Sequence, residues 1–139
     1  LSQPRIANAG VVDTNGAYFN GSTYLTAGTV DILSFVSATQ AQLYFRAYSS
    51  SNGSNIGRLF NHSSLLCYIP YVALGNAYFD FPDRISGATP AGLVDVLHDF
   101  SLEREATTQR IRMDGVTKIS GSISNAVSSN SAEFQIGMG

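Results

Sequence analysis

The stretch Val94 to Gly115, V-D-V-L-H-D-F-S-L-E-R-E-A-T-T-Q-R-I-R-M-D-G, reads as two antiparallel strands joined at Ala106-Thr107-Thr108. Apolar residues recur at every second position on both sides of that turn, which is the period of a strand with one buried face. In the first arm Val94, Val96, His98, Phe100 and Leu102 share one parity, and Asp95, Leu97, Asp99, Ser101 and Glu103 share the other. In the second arm Ile111 and Met113 point inward, and Arg110, Arg112 and Asp114 point outward. Asp114-Gly115 then supplies a turn dipeptide that leads into a further short strand, Val116 to Ile119.

Outward from this hairpin the same signals repeat. Tyr18-Phe19 and Tyr24-Leu25 flank Asn20-Gly21, which predicts a two-residue hairpin turn. Asp31 to Ala38 lacks clear alternation and reads equally as a short helical turn or a strand. Gln42 to Tyr48 is a strand, followed by a solvated loop of Ser, Asn and Gly from Ser49 to Asn55. Ile56 to Asn61 and Leu65 to Val72 form the next pair, with Pro70 placing the second at an edge or ending its regular pairing. Ala77 to Phe81 is a strand stopped by Pro82, and Pro82 to Leu93 reads as a loop. A Ser- and Asn-rich loop from Ser120 to Ser131 precedes a last strand, Glu133 to Gly137. About ten strands with no long helix predict an all-β sandwich of two antiparallel sheets. Residues 1–16 read as an N-terminal arm or edge strand, and residues 17–139 as one domain, with no internal repeat.

Composition narrows the function. The 139 residues are 44% hydrophobic and 13% charged, with a net charge of −2. No basic field exists to capture nucleic acid. No apolar run approaches the length of a membrane span, and the start Leu1-Ser2-Gln3-Pro4-Arg5 lacks the features of a signal peptide. Without an initiator methionine, the chain reads as a processed product or a piece of a longer one. Cys67, the single cysteine, sits in an apolar run with no basic neighbour and reads as a buried structural thiol.

The hairpin also resembles a family. The laminin G-like branch of the concanavalin A-like jelly rolls carries a strand approximating Trp-His-His-Val-Ala-Leu-Val-Arg, a variable turn, Tyr-Val-Asp-Gly, and later a strand ending in Ile-Gly. The matching residues are Leu97 to Arg104, then Arg112-Met113-Asp114-Gly115, then Phe134-Gln135-Ile136-Gly137. Ala17 to Leu25 resembles the family's opening hairpin. Leu97 stands where the family has tryptophan and Arg112 where it has tyrosine, so the match is to a divergent member. The resemblance implies a concanavalin A-like jelly roll, an architecture that hosts lectins, hydrolases, adhesion modules and virion proteins alike.

Several chemistries can be weighed on the residues. Some jelly rolls of this shape are glycoside hydrolases, which need two carboxyl groups about 5 to 9 Å apart. Asp99, Glu103 and Glu105 share one face of the central strand, but Ser101 interrupts the apolar pattern those enzymes keep, so a solvated face is expected and no catalytic residue is assigned. His62 and His98 lack zinc-ligand spacing, and His98 falls at a family core position. Asp13, Asp31, Asp80 and Asp83 are the calcium candidates, although no Asp-x-Asp spacing occurs, so no metal or other cofactor is assigned. Gly53 to Gly57 is not a nucleophile elbow. The sequons at Asn20, Asn52 and Asn61 match chance in a chain this rich in Ser and Thr.

Tyr44, Tyr48, Tyr68, Tyr71, Tyr78 and Phe81 could form a stacking platform for sugar rings, with Tyr44, Tyr48, Tyr71 and Phe81 as the candidate carbohydrate-binding set; core packing is the competing account. The expectation is a non-catalytic recognition or structural module of a virion or extracellular surface, for example a phage head-decoration or tail-associated domain. A carbohydrate-binding module is the alternative and a glycoside hydrolase the third reading. The related jelly rolls continue past the Ile-Gly strand, so either the N-terminal arm fills that place or an edge stays open. With the low charge count, this predicts a homo-oligomer or attachment to a larger assembly, with Ser49 to Asn55 and Pro82 to Leu93 available for contact.

Overall fold

The alternation around Phe100 becomes a hairpin in the computed structural model, which describes residues 5–7, 11–13, 16–18, 24–34, 36–48, 58–68, 76–93 and 95–138. Among the described residues there are thirteen strands. They are β1 (Arg5–Ala7), β2 (Val11–Asp13), β3 (Gly16–Tyr18), β4 (Tyr24–Asp31), β5 (Gln40–Tyr48), β6 (Arg58–His62) and β7 (Leu65–Tyr68). Then come β8 (Asn76–Asp80), β9 (Arg84–Ala88), β10 (Leu97–Glu105), β11 (Thr108–Met113), β12 (Val116–Ser122) and β13 (Ser131–Met138). A single 3-10 turn, Ile32–Ser34, follows β4, so the ambiguous stretch after Asp31 resolves as a helical turn.

The strands form a seven-stranded sheet in the order β1-β4-β13-β6-β7-β8-β9, a four-stranded sheet in the order β12-β11-β10-β5, and a two-stranded ribbon β2-β3. Every pairing among the described strands is antiparallel. The two larger sheets pack face to face, giving the all-β jelly-roll sandwich that the alternation predicts. Phe45 of β5 meets Phe60 of β6 edge-on at 5.2 Å and stacks on Phe100 of β10 at 5.2 Å. At the opposite edge Ile85 of β9 meets Gly121 of β12. The smaller sheet therefore lies over β9 to β6, and β13, β4 and β1 continue past β5.

The central hairpin keeps the expected parity. His98, Phe100, Leu102, Ile111 and Met113 are all buried. Glu105 pairs with Thr108, so the turn is Ala106-Thr107 alone and Thr108 already belongs to β11. Met113 pairs with Val116, leaving Asp114-Gly115 as a two-residue turn with φ of 52° and 76°. Positive φ at both positions is what a type I′ hairpin demands, and Asp-Gly meets it at low cost.

Other expectations need correction. Asn20-Gly21 lies outside the described residues, and the strands flanking it do not pair with each other: β3 pairs with β2, while both edges of β4 are taken by β1 and β13. The ribbon β2-β3 runs across the boundary expected at residues 16 and 17. Pro82 to Leu93 is not a plain loop, because Arg84–Ala88 pairs with β8 as the last strand of the larger sheet. Ile85 is its one buried large apolar residue, too few to show a period. The first arm of the central hairpin starts at Leu97 and not Val94. Asp95 has φ of 60°, which breaks the extended run, and Val96 is exposed. The loop Ser49 to Asn55 and Pro70 lie outside the described residues, and the strand before Pro70 is not an edge, because β7 pairs with both β6 and β8.

Two polar residues enter the core by the same parity. Arg104 and Gln109 are cross-strand partners on the inner face of β10 and β11, and both are buried. Arg104 donates to the Phe81 carbonyl at 2.5 Å and the Asn125 carbonyl at 2.6 Å, and Gln109 also donates to the Phe81 carbonyl. The Arg104 guanidinium lies 5.6 Å from the centre of the Phe81 ring. These bonds satisfy backbone oxygens of two connections that would otherwise be left unpaired inside the sandwich.

Candidate recognition surface

The outer face of the four-stranded sheet carries the residues that packing does not explain. On β5 alternation sends Gln40, Gln42, Tyr44, Arg46 and Tyr48 outward. On β10 it sends out Leu97, Asp99, Ser101, Glu103 and Glu105, and on β11 Arg110 and Arg112. The register sets Tyr44 beside Ser101, Arg46 beside Asp99, and Tyr48 beside Leu97. Cross-strand neighbours of this kind have Cβ atoms about 5 Å apart, so the side chains form continuous rows.

Exposure is uneven across the molecule. Among the described residues the large hydrophobics left in solvent are Tyr44 at 72%, Tyr48, Val96, Leu97 and Val116. All five lie on the four-stranded sheet or the segment entering it. Leu97 pairs with Tyr48 on the outer face at one end, with Val96 next to it in sequence, whereas Val116 pairs with inward-facing Met113 and so lies on the other side of the sheet. Scattered apolar residues are ordinary on a surface, but a cluster on one end is what contact sites leave behind.

Polar bonds fix this end. Arg46 holds Asp99 through two parallel bonds of 2.6 and 2.8 Å. Hydrogen bonding and charge from Arg46 hold the Asp99 carboxyl below its ordinary range, and Asp99 raises Arg46 in return. Both are well exposed, so the pair contributes little to stability and instead fixes a neutral, flat patch between the two tyrosines. Tyr48 donates its hydroxyl to Asp95 at 3.1 Å, a bond that raises the phenol's pKa. His98, behind the patch, bonds Asp114 through Nδ1 at 2.7 Å and the Gly92 carbonyl through Nε2 at 3.0 Å. These bonds raise its pKa, with burial and, more weakly, Lys118 opposing. Asp114 also accepts from the Asp99 amide at 3.0 Å, and its own pKa is lowered, chiefly by His98.

At the far end of the same face an open hollow of about 710 Å³ is lined by Leu33, Val36, Gln40, Gln42, Glu105 and Arg110, among others. Glu103 and Glu105 border it, but each faces an arginine: Glu103 with Arg112 at 3.2 Å and Glu105 with Arg110 at 3.4 Å. Ser101 also donates to Glu103 at 2.9 Å.

The other expected site residues fall elsewhere. Phe81 is corrected from the carbohydrate-binding set: it is fully buried, stacked at 6.2 Å on Phe79, and offers no ring face to a ligand. Tyr71 lies outside the described residues. Tyr78 is half-buried beneath the Arg84 guanidinium, 5.1 Å from its ring centre. The calcium candidates serve local structure. Asp31 accepts from the Leu33 amide at 3.0 Å and from the Ser129 hydroxyl. Asp80 pairs with Arg84 at 2.6 Å. Asp83 accepts from the Ser124 and Asn125 amides, both at 2.8 Å. The Asp13 side chain lies outside the described residues. Among the described residues no three His, Cys, Asp or Glu side chains converge as a metal site. No helix of the described chain is long and apolar enough to cross a membrane. His62 is buried, with Nε2 donating to the Val30 carbonyl at 3.2 Å and Nδ1 accepting from the Ser64 amide at 3.1 Å. Cys67 is fully buried, and desolvation pushes its thiol pKa up. Asn61 donates to Gln135 at 2.6 Å.

The sequence misses the contribution of Val96, because alternation assigns Val96 to the core, and it says nothing of Leu97 meeting Tyr48. No family model matches the sequence, and no curated protein sequence does. Among solved structures the chain is similar to a mutant of HCR/D, at 11% identity and a TM-score of 0.65. The likeness covers 96% of this chain and 38% of that one. At that identity the likeness concerns the fold.

Proposed function

We propose that this domain is a non-catalytic recognition or structural module of a virion or extracellular surface, acting through the apolar end of its four-stranded sheet. The observation that carries the reading is the pairing of exposed Leu97 with exposed Tyr48, beside exposed Val96, at one end of the sheet, while the rest of the described surface exposes no large hydrophobic except Tyr44 and Val116. Aliphatic side chains gain most from burial against protein, at about 25 cal/mol per Å², which favours a protein partner over a sugar. The ordered motifs around Leu97, Asp114-Gly115 and Ile136-Gly137 support placing the sandwich with the laminin G-like branch of the concanavalin A-like jelly rolls.

The partner is a second copy of the chain or another protein of the same assembly. Sedimentation of the isolated domain at micromolar concentration tests the first, with Leu97→Glu expected to dissociate the oligomer. A photocrosslinker at position 97 in the assembled particle tests the second. A folded monomer that also yields no crosslink there would remove the reading.

A carbohydrate-binding role is the second reading, favoured by the open ring of Tyr44 above the Ser101 and Gln42 row. A glycan array with and without calcium separates the two, since Tyr44→Ala and Tyr48→Ala would then abolish the signal. Turnover of a β-glucan that Glu103→Gln or Asp99→Asn removes would favour the hydrolase instead.

A further inference from the structure

The two sides of the sandwich are finished differently. On one side β9 and β12 interlock through Ile85, Gly87, Ile119 and Gly121. On the other, β5 is the last strand of the smaller sheet, while β13, β4 and β1 of the larger sheet run on beyond it. The inner row of β10, from His98 to Arg104, is buried, but the inner row of β5, Ala41, Leu43, Phe45 and Ala47, is only half-buried. Across from it the overhanging strands present Ala27, Val30 and Ile136, which are half-buried too. β5 pairs with β10 over nine positions without a shift in register, and among the described residues no strand pairs with its other edge. Its sequence has no proline, glycine or lysine to discourage pairing, and its one charge, Arg46, is neutralised by Asp99. β12, the opposite edge of the same sheet, carries Lys118 and pairs with β11 through a register shift.

We propose that the free edge of β5 is a strand-addition site, taking an extended, uncharged segment of a partner protein with apolar residues at alternate positions. An unpaired row of N–H and C=O groups is matched by another extended backbone, and the half-buried row beside it calls for one apolar face. The apolar side chains of the added strand would rest on Ala27, Val30 and Ile136, and its other face would stand in line with Gln42, Tyr44 and Arg46. One end of the site is bounded. The 3-10 turn Ile32–Ser34 leads from β4 towards β5, and the Val127 amide bonds the Ala38 carbonyl at 2.9 Å at that crossing. At the other end Tyr48 meets Leu97, which makes the added strand continuous with the recognition surface. A second copy offering its own β5 fits poorly, because twofold pairing would put the overhanging β13, β4 and β1 of both copies in one layer. The edge stands on the geometry of the sandwich; its use in recognition rests on the function proposed above.

Hydrogen exchange of the free protein tests the edge first. One alternate set of amides between Gln40 and Tyr48 points away from β10 and should exchange about ten-fold or more faster than the set bonded to β10. Uniform protection along β5 would mean that the edge is already covered, and overturns the site. The probe is a synthetic peptide as long as β5, nine residues, alternating valine with threonine; its control holds the same residues with the valines in one block. The alternating peptide should slow the fast set several-fold and shift the amide resonances of β5 before those of β12. An equal effect of the control, or no effect of the alternating peptide, overturns the proposal. Protection of the fast set that grows with protein concentration alone would assign the edge to a second copy, which overturns a heterologous partner. Photocrosslinkers at positions 45 and 97 in the assembled particle separate this proposal from the recognition reading. A crosslink at 97 alone keeps the recognition surface and removes strand addition, and peptide capture on β5 with no crosslink at 97 does the reverse.

Discussion

Gly121 of β12 lies so close to Ile85 of β9 that a Cβ placed on it would stand 2.6 Å from Ile85 Cγ2. The reciprocal contact exists one step away, where a Cβ on Gly87 of β9 would meet Ile119 Cγ1 at 3.0 Å. Each isoleucine fills the place the other strand's glycine leaves, which closes this edge of the sandwich. Neither glycine needs its conformational freedom there; what matters is the missing side chain.

Gly121→Ala should therefore destabilise by about 1–3 kcal/mol through overpacking, since the clash is with a branched carbon and not a flexible chain end. Combining it with Ile85→Ala should cost less than the sum of the two single changes, because the methyl would occupy vacated space. Urea unfolding of the three variants checks this, and strict additivity would count against the interlock.

Phe100→Ala should cost about 3–5 kcal/mol, because Phe100 stacks on Phe45 and packs beside Leu102, Ile111 and Met113 in the closed part of the core. Phe45→Ala should cost less. Phe45 belongs to β5, the edge strand of the smaller sheet, and is only half-buried. Equal losses in thermal melts would mean that β5 is covered more completely than its partly buried inner face indicates.

Arg104→Met keeps the apolar stem but removes the bonds to the Phe81 and Asn125 carbonyls, and roughly 2–4 kcal/mol should be lost. The damage should be local to the turn at Phe81 and the connection following β12. Hydrogen exchange that rises at Ser124 and Asn125 but not in β10 is the expected pattern, and uniform loss would contradict the staple.

Stability should peak between about pH 4 and pH 6.5. Asp31, Asp83, Asp99 and Asp114 all have pKa values lowered by bonds made only on folding. Their contribution is present above the ordinary value of 3.8 and is lost as pH falls through the folded values. His98 is raised, so its contribution is full below 6.5 and is lost as pH rises through its folded value. Asp83→Asn should shrink the acid limb and His98→Gln should flatten the alkaline one in melting temperatures measured across pH. An alkaline limb that survives His98→Gln would sink the assignment.

The sequence by itself determined the strands whose periods were unambiguous. Val94 to Gly115 named its own inner face because one-residue slips would bury Asp99 and Glu103, and Asp114-Gly115 named its turn because few dipeptides accept positive φ twice. Tyr44 and Tyr48 were legible as residues of a strand, but whether they packed in the core or faced out was decided only by the sheet. Tertiary structure decided what alternation cannot carry. Arg104 and Gln109 are buried because carbonyls from distant connections need donors there. Phe81 turns inward because the next turn brings it under Arg104. The strand Arg84–Ala88 forms because β8 offers it an edge, and β3 and β4 part because β4 already has two neighbours. The recognition surface belongs to the same class: Leu97 and Tyr48 come from separate strands, and only the register of β10 against β5 brings them together. Local pattern fixes which way a side chain points, and long-range pairing fixes what it points at.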